Sequence, residues 1–249
     1  MDQINQGKTR IDMALVERGL APSRARARDA ILRGHVTVDG SRVDRPALTV
    51  SPASRIAVDD PAGGYVSRSA LKLAAALDHF GYDPAGRVAL DIGASTGGFT
   101  QVLIERGAAK VFAIDVGHGQ FDRTLADDPR VTVREGLNAR DLKAADIGTA
   151  IDFIVADVSF ISLKLALPPG LALAALRAWA IFLIKPQFEV GPKHIGKGGI
   201  VRDPAVARAA ADDIAAWLGA AGWTVDGIID SPIAGGDGNR EFLIGVRRG

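Results

Sequence analysis

The chain contains no cysteine. That absence excludes a disulfide framework, a thiolate zinc site and a cysteine nucleophile. Histidine is sparse. His35, His79, His118 and His194 are the four present, with no pair at metal-ligand spacing, so no metal is expected. Aromatic residues make up 6% of the 249 residues while hydrophobic residues reach 47%, so any core must be mainly aliphatic. A long uninterrupted apolar run is missing too. The most apolar tract, Leu165 to Ile184, is broken by Pro168, Pro169 and Gly170 and carries Arg177. A membrane-spanning helix needs about 20 mostly apolar residues in succession. The tract therefore reads as a buried helix, LALAALRAWA, followed by a buried strand, AIFLIKPQF. The opening residues MDQINQGKTR are polar, so no targeting signal and no membrane partner are expected, consistent with a cytoplasmic protein.

What is present is unevenly distributed. Net charge is +1, yet Lys8 to Arg55 holds ten basic residues against five acidic ones, a local +5 that leaves −4 for the rest. Such asymmetry suits a nucleic-acid-facing module at the N-terminus, and a solvated surface is the plain alternative. The length allows one large domain and one small one.

The first 59 residues read as the small unit. RIDMALVERGL has helical spacing. APSRARARDAILRG follows, with Ser23 as N-cap and Gly34 as the stop. HVTVDGSRV alternates around Asp39-Gly40, a hairpin signal, and LTVSPASRIAV supplies further short strands. Two helices, a hairpin and clustered arginine resemble the RNA-binding domain named after small-subunit ribosomal protein four. Arg24 and Arg28 share a helix face at i,i+4 spacing, able to straddle phosphates. Arg10, Arg33 and Arg68 complete the arginines expected to face RNA.

DDPAGG, with residues 60–64 as a linker, separates this unit from residues 65–249, where helix and strand patterns alternate. Continuous apolar strands alternating with helices predict a Rossmann-like α/β fold, a mostly parallel sheet covered on both faces. WTVDGIID and EFLIGVRR are close enough in sequence to pair antiparallel, so the last strand should run against the others. Asp203-Pro204 predicts the start of a long helix.

VALDIGASTGGFT, residues 88 to 100, is a strand running into a small-residue turn. A dinucleotide turn requires G-x-G-x-x-G and a phosphate loop requires a lysine before Ser or Thr. Neither is here. S-adenosylmethionine carries no phosphate and needs close backbone approach plus acidic groups. Asp91, Gly93, Ala94, Ser95, Gly97, Gly98 and Phe99 are the turn residues expected to hold it. Asp115 and Val116 follow at the end of the next strand, where a ribose-binding acid is expected. An ordinary tight turn with a capping aspartate is the plain alternative, weakened by Asp115. GPKHIGKG, Gly191 to Gly198, nearly matches a phosphate loop, but Pro192 removes an amide donor. It reads as a mobile loop offering Lys193, His194 and Lys197 to RNA.

Four ionisable residues stand out. Asp157 ends the strand DFIVAD, Lys185 ends AIFLIK, Glu241 opens the last strand, and Lys72 lies in the helix before the glycine turn. Ligands in open parallel sheets bind at the carboxyl ends of the strands, which places all but Lys72 there. Free lysine titrates at about 10.4. Desolvation and a second cation lower that value, letting an amine remove a proton from a hydroxyl or, still charged, stabilise an alkoxide.

In this order, Lys72, Asp157, Lys185 and Glu241 around DIGASTGGFT resemble the K-D-K-E tetrad of the FtsJ-like ribose 2′-O-methyltransferases. With SRSALKL, ADVSFISL, KPQFEVG and GNREFL, residues 8 to 248 resemble the TlyA family, rRNA 2′-O-methyltransferases once described as haemolysins. The resemblance implies methylation of a cytidine ribose in ribosomal RNA or ribosomal subunits, with S-adenosylmethionine as donor. It also implies Lys185 as the central catalytic residue, helped by the other three, with Asp157 doubling as a cofactor contact. Where many relatives carry an acid for adenine, REGLNARDL offers Asn138, whose amide both donates and accepts. Phe160 and Phe188 are placed to stack on a target base, with core packing expected for at least one. Two readings compete with catalysis: a membrane-lysing protein, which needs a long apolar or amphipathic segment, and a non-catalytic RNA-binding protein, which has no need of an intact tetrad.

Overall fold

Small-residue turns and helix caps divide the chain into short elements that assemble as two units, Met1–Gly64 and Tyr65–Gly249. The computed structural model describes residues 7–235 and 238–249.

The first unit runs β1 (Thr9–Arg10), α1 (Ile11–Glu17), α2 (Arg24–Leu32), β2 (Val36–Val38), β3 (Ser41–Arg42), β4 (Thr49–Val50) and β5 (Ile56–Val58). Ser23 caps α2 by accepting from the Arg26 amide, and Gly34 turns the chain out at φ +74°. Asp39 and Gly40 both take positive φ, 49° and 82°, as a two-residue hairpin requires. The core is one small cluster in which Ile11, Leu15, Ile31 and Val36 are fully buried. Residues 60–64 are fastened to this unit. Arg33 pairs with Asp60 at 2.6 Å, Arg26 donates to the Ala62 carbonyl at 2.6 Å, and Ala62 is buried.

The second unit runs α3 (Ser69–Phe80), β6 (Val88–Ile92), α4 (Gly98–Glu105), β7 (Lys110–Asp115), α5 (Arg123–Ala126), β8 (Val131–Glu135), α6 (Ala144–Ile147), β9 (Ile151–Ala156), α7 (Leu163–Ala166), α8 (Pro168–Ala172), β10 (Ala174–Ile184), α9 (Pro186–Glu189), α10 (Pro204–Ala220), β11 (Trp223–Asp230) and β12 (Phe242–Arg248). Its sheet has the order β11-β12-β10-β9-β6-β7-β8, with β12 antiparallel to both neighbours and the other ladders parallel. Alternate side chains of each strand enter opposite cores. Leu90, Ile92, Ile154 and Phe182 pack with Leu163, Leu167, Ala211 and Ile214 on one face. Ala89, Phe153, Val155 and Ile181 pack with Leu73, Leu77, Val102 and Leu103 on the other. The chain leaves β6 for β7 on one side and returns to β9 on the other, so the crevice of the sheet opens at the ends of β6 and β9.

One expectation is corrected. LALAALRAWA is not a helix: α8 stops at Ala172 and β10 begins at Ala174. Leucine and alanine favour helix, but this stretch enters an interior strand with a partner on each side. Trp179 pairs with Phe153 on β9 and with Arg247 on β12. From Trp179 onward two ladders and burial override local propensity, while Leu176 and Arg177 before it are exposed and unpaired in either ladder. The strain is visible at Arg177, with φ +64°, inside the irregularity between Ala174 and Trp179. Asp203 and Pro204 start α10 as expected, the carboxylate accepting from the Ala205 amide.

Candidate active site

The site begins with a close approach that only glycine permits. Gly93 follows β6 at φ +82°, and a Cβ there would lie 2.7 Å from the Asp157 carbonyl oxygen. The ends of β6 and β9 therefore converge, and the Asp157 amide donates to the Ile92 carbonyl at 3.0 Å. A cleft of about 930 Å³ opens beside this turn. Gly93, Ser95, Asp115 and Val116 line it from β6 and β7, and Asn138 and Arg140 from beyond β8. Asp157 to Ser162, with Phe188, line the opposite wall. A polar recess of about 170 Å³ adjoins it, lined by Ser67, Ser69, Ala94, Phe99 and Lys185. Gly93, Ser95, Asp157 and Ser159 belong to both cavities, so the recess and the cleft share a wall.

Carboxylates shape the cleft. Asp115 accepts from the Ser95 amide at 2.8 Å and the Gly117 amide at 2.7 Å, which ties the turn after β6 to the turn after β7. Glu135 at the end of β8 accepts from the amides of Gly119, Gln120 and Phe121, and those donors hold its carboxyl below the usual range. Asp91 differs from both. It is fully buried and lines neither cavity. Oδ2 accepts from the Thr100 hydroxyl at 2.7 Å, while Oδ1 has no hydrogen-bond partner. Burial pushes its carboxyl up to about 7; the Thr100 bond opposes that, and the nearby charges of Asp157 and Asp115 add to it.

The four expected catalytic side chains form two pairs. Lys185 Nζ lies 2.6 Å from Asp157 Oδ1 and donates to Ser159 Oγ at 2.8 Å. Lys72 Nζ donates to Glu241 Oε2 at 2.5 Å, and both residues are almost fully buried. Sheet register brings the pairs together. Ile184 opposes Phe242 across the β10–β12 ladder, so Lys185 and Glu241 face each other one step further on. Phe182 opposes Ala156 across β9–β10, and the same register sets Lys185 beside Ser159. Lys185 and Asp157 reach the recess; Lys72 and Glu241 line neither cavity.

The remaining expected residues divide as follows. Ala94, Phe99, Val116 and Asn138 each line one of the two cavities, and Ser95 lines both. Asn138 Oδ1 already accepts from the Arg140 amide at 3.1 Å. Gly97 and Gly98 line neither. A Cβ on Gly97 would meet Leu125 at 2.8 Å and one on Gly98 would meet Ser69 Oγ at 2.4 Å, so both serve the packing of the turn itself. Neither phenylalanine is in the core. Phe160 is 91% exposed and Phe188 half-buried, with ring centroids 5.2 Å apart. In the first unit Arg10 and Arg24 both pair with buried Asp12, and Arg33 with Asp29 and Asp60. Arg28 is exposed and Arg68 stands at the N-cap of α3. Lys193 and Lys197 are exposed between α9 and α10. Asn239, itself buried, accepts from the Val201 amide and donates to the Gly199 carbonyl, both at 3.0 Å. Sequence reasoning missed Ser67, Ser69, Ser159, Glu135, Glu189 and Asn239. Only the serines of SRSALKL, one turn before Lys72, and Glu135, an acid ending the third parallel strand, offered a signal.

A parallel sheet with one reversed strand, a glycine turn at its switch point and a buried lysine–carboxylate constellation beside it define a methyltransferase architecture. Residues 65–248 match the FtsJ-like methyltransferase family and residues 9–56 match the S4 domain. The chain belongs to the FtsJ-like methyltransferase family and, within it, to the TlyA group. It is 45% identical over 241 residues to the 16S/23S rRNA (cytidine-2′-O)-methyltransferase TlyA of Mycobacterium tuberculosis, covering 96% of this chain and 90% of that one. It is 39% identical to Hemolysin A of Brachyspira hyodysenteriae, covering 94% and 98%. A solved structure of a hemolysin candidate from Streptococcus thermophilus superposes with a TM-score of 0.77 at 36% identity, over 97% of this chain and 89% of that one. Among the described residues no helix is long and apolar enough to cross a membrane, and no group of three metal-ligating side chains occurs.

Proposed function

We propose that this protein transfers the methyl group of S-adenosylmethionine to the ribose 2′-hydroxyl of a cytidine in ribosomal RNA, acting in the cytoplasm on rRNA or ribosomal subunits. The observation that carries the reading is the recess itself, where Lys185 and Asp157 face a cavity that shares a wall with the cleft beside Gly93.

The residues present fit that cofactor. The turn has no lysine to cradle a phosphate, and Gly93 permits close backbone approach. The buried, unpartnered oxygen of Asp91 and the carboxylates of Asp115 and Asp157 make the site attractive to a cation. Asp115 and Asn138, which line the cleft, would hold the nucleoside, and Ser67, Ser69 and Ser95, which line the recess, the amino-acid end. Bound there, the cofactor supplies an electrophilic methyl group on a sulfonium.

The chain's own residues do the rest. Lys185 meets the 2′-oxygen, and Asp157 and Ser159 fix the direction of its ammonium group. Its charge stabilises the negative charge that grows on the oxygen as the hydroxyl proton passes to water, and that oxygen takes the methyl group. Lys72, held by Glu241, places a second cation nearby and keeps Glu241 from drawing Lys185 out of line. Phe160 and Phe188 offer a surface for the base of the target nucleotide. Arg28, Arg68, Lys193 and Lys197, with the flanks of Arg10, Arg24 and Arg33, contact the phosphate backbone.

Lys185→Ala should lower labelled-methyl transfer to unmodified ribosomal subunits by roughly 10²-fold or more while cofactor binding by calorimetry persists. Normal transfer by that variant refutes the tetrad assignment. Leakage of liposomes by the purified protein without a methyl donor would instead support the membrane-lysing reading.

A further inference from the structure

Phe160 combines two features that rarely coincide. It is 91% exposed, and its backbone is left-handed at φ +64°. An aromatic residue adopts that conformation only when its surroundings impose it. The restraint is found on both sides. One residue earlier, Ser159 Oγ accepts from Lys185. Two and three residues later, the Ser162 hydroxyl donates to Glu189 Oε2 at 2.5 Å and the Leu163 amide donates to Glu189 Oε1 at 2.8 Å. Lys185 and Glu189 bracket α9, which also carries Phe188. One short segment thus grips another at two points, with the two phenylalanines facing each other between them.

We propose that Glu189 is a positioning residue, whose carboxylate fixes the 159–163 loop so that Phe160 and Phe188 form a preset platform for the target nucleotide. The proposal rests on the methyltransferase reading above. Glu189 gives both oxygens to this loop, and among the described residues no basic side chain is in ion-pair contact with it. Burial raises its carboxyl above the usual range, and the two donors oppose that shift without cancelling it. Capping of α7 accounts only for the bond to the Leu163 amide, the first of that helix. Ser162 already accepts from the Lys164 amide, and Lys164 ties α7 to α10 through Asp213 at 2.6 Å. Loss of Glu189 would therefore loosen the approach to α7, where Phe160 lies, more than the helix itself.

The test uses steady-state transfer to ribosomal subunits lacking the mark, with cofactor affinity measured separately. Glu189→Ala should raise KM for the subunits by about tenfold and lower kcat less, leaving cofactor affinity within about twofold. Glu189→Gln keeps an acceptor for the Leu163 amide and a donor for Ser162, so it should restore KM to within about threefold of the wild type. In a Phe160→Ala background, Glu189→Ala should add nothing, because the platform it holds is gone. Additive losses in the double variant, an unchanged KM in Glu189→Ala, or a glutamine variant as impaired as alanine would overturn the proposal. If Glu189→Ala does not fold, the glutamine variant and its combination with Phe160→Ala carry the same comparison. Wild-type protein that binds S-adenosylmethionine but transfers nothing would refute the underlying reading as well.

Discussion

Asp12 in the first unit and Asp91 in the second are both fully buried aspartates, and their environments drive them in opposite directions. Asp12 accepts from Arg10 at 3.0 Å and from Arg24 at 2.9 Å, and those partners, Arg10 first, hold its carboxyl down at about 2. Asp91 has only the Thr100 hydroxyl and amide, no cation, and two carboxylates nearby; burial pushes it up to about 7. Burial alone does not decide whether a carboxyl carries charge. The partner does. The satisfied aspartate ties two arginines into the fold, while the unsatisfied one keeps a carboxylate oxygen without a partner.

Breaking the satisfied member should have the largest effect. Asp12→Ala leaves two guanidinium groups without their shared partner and a hole beside Ile11; denaturant unfolding of the first unit should show a loss of about 2 kcal/mol. An unchanged transition midpoint would reduce Asp12 to a bystander.

The unsatisfied member should respond mainly to pH. The folded-state carboxyl of Asp91 titrates above the ordinary value. Its contribution to stability is therefore fully present below about 4 and lost as pH rises through about 7. Asp91→Asn should then raise the stability of the ligand-free protein above pH 7, with the gain shrinking toward pH 4 in thermal melts. Cofactor affinity should move the other way. A cationic ligand favours the ionised carboxyl, so wild-type affinity should rise with pH up to about 7 and flatten beyond, and Asp91→Asn should abolish that rise. Parallel profiles for the two proteins would remove Asp91 from the cofactor site.

The smallest effect concerns the arginines. Arg28 has no ion-pair partner among the described residues, whereas Arg24 is shared with Asp12. Arg28→Ala should lower the salt slope of RNA binding by about one phosphate contact, and Arg24→Ala by less. Equal slopes for the two variants would mean that the Asp12 bond opens when RNA binds.

Legibility in the sequence followed the reach of each interaction. Ser23, Asp39-Gly40, Gly93 and Asp203-Pro204 announced a cap, a hairpin, a turn and a helix start, because each acts within two or three residues. The first half of the strand at 174–184 was hidden inside a helix-forming run, because its partners on β9 and β12 lie far away in sequence, whereas AIFLI was legible as a strand. Glu189 was hidden for the same reason, with Ser162 and Leu163 27 and 26 residues distant. Among the arginines the sequence showed positive charge but not that Asp12 and Asp60 already hold much of it.

By itself the sequence determined the alternation of helices and strands, the glycine turn and the identity of the two lysines and two acids, since residue type and periodicity are local properties. Only the tertiary structure decided that Lys185 pairs with Asp157 and Lys72 with Glu241, that Asp91 lies beneath the surface of the cleft and that Phe160 stands exposed. Those outcomes depend on strand register and on which buried charge finds a partner, and neither is settled until the sheet has closed.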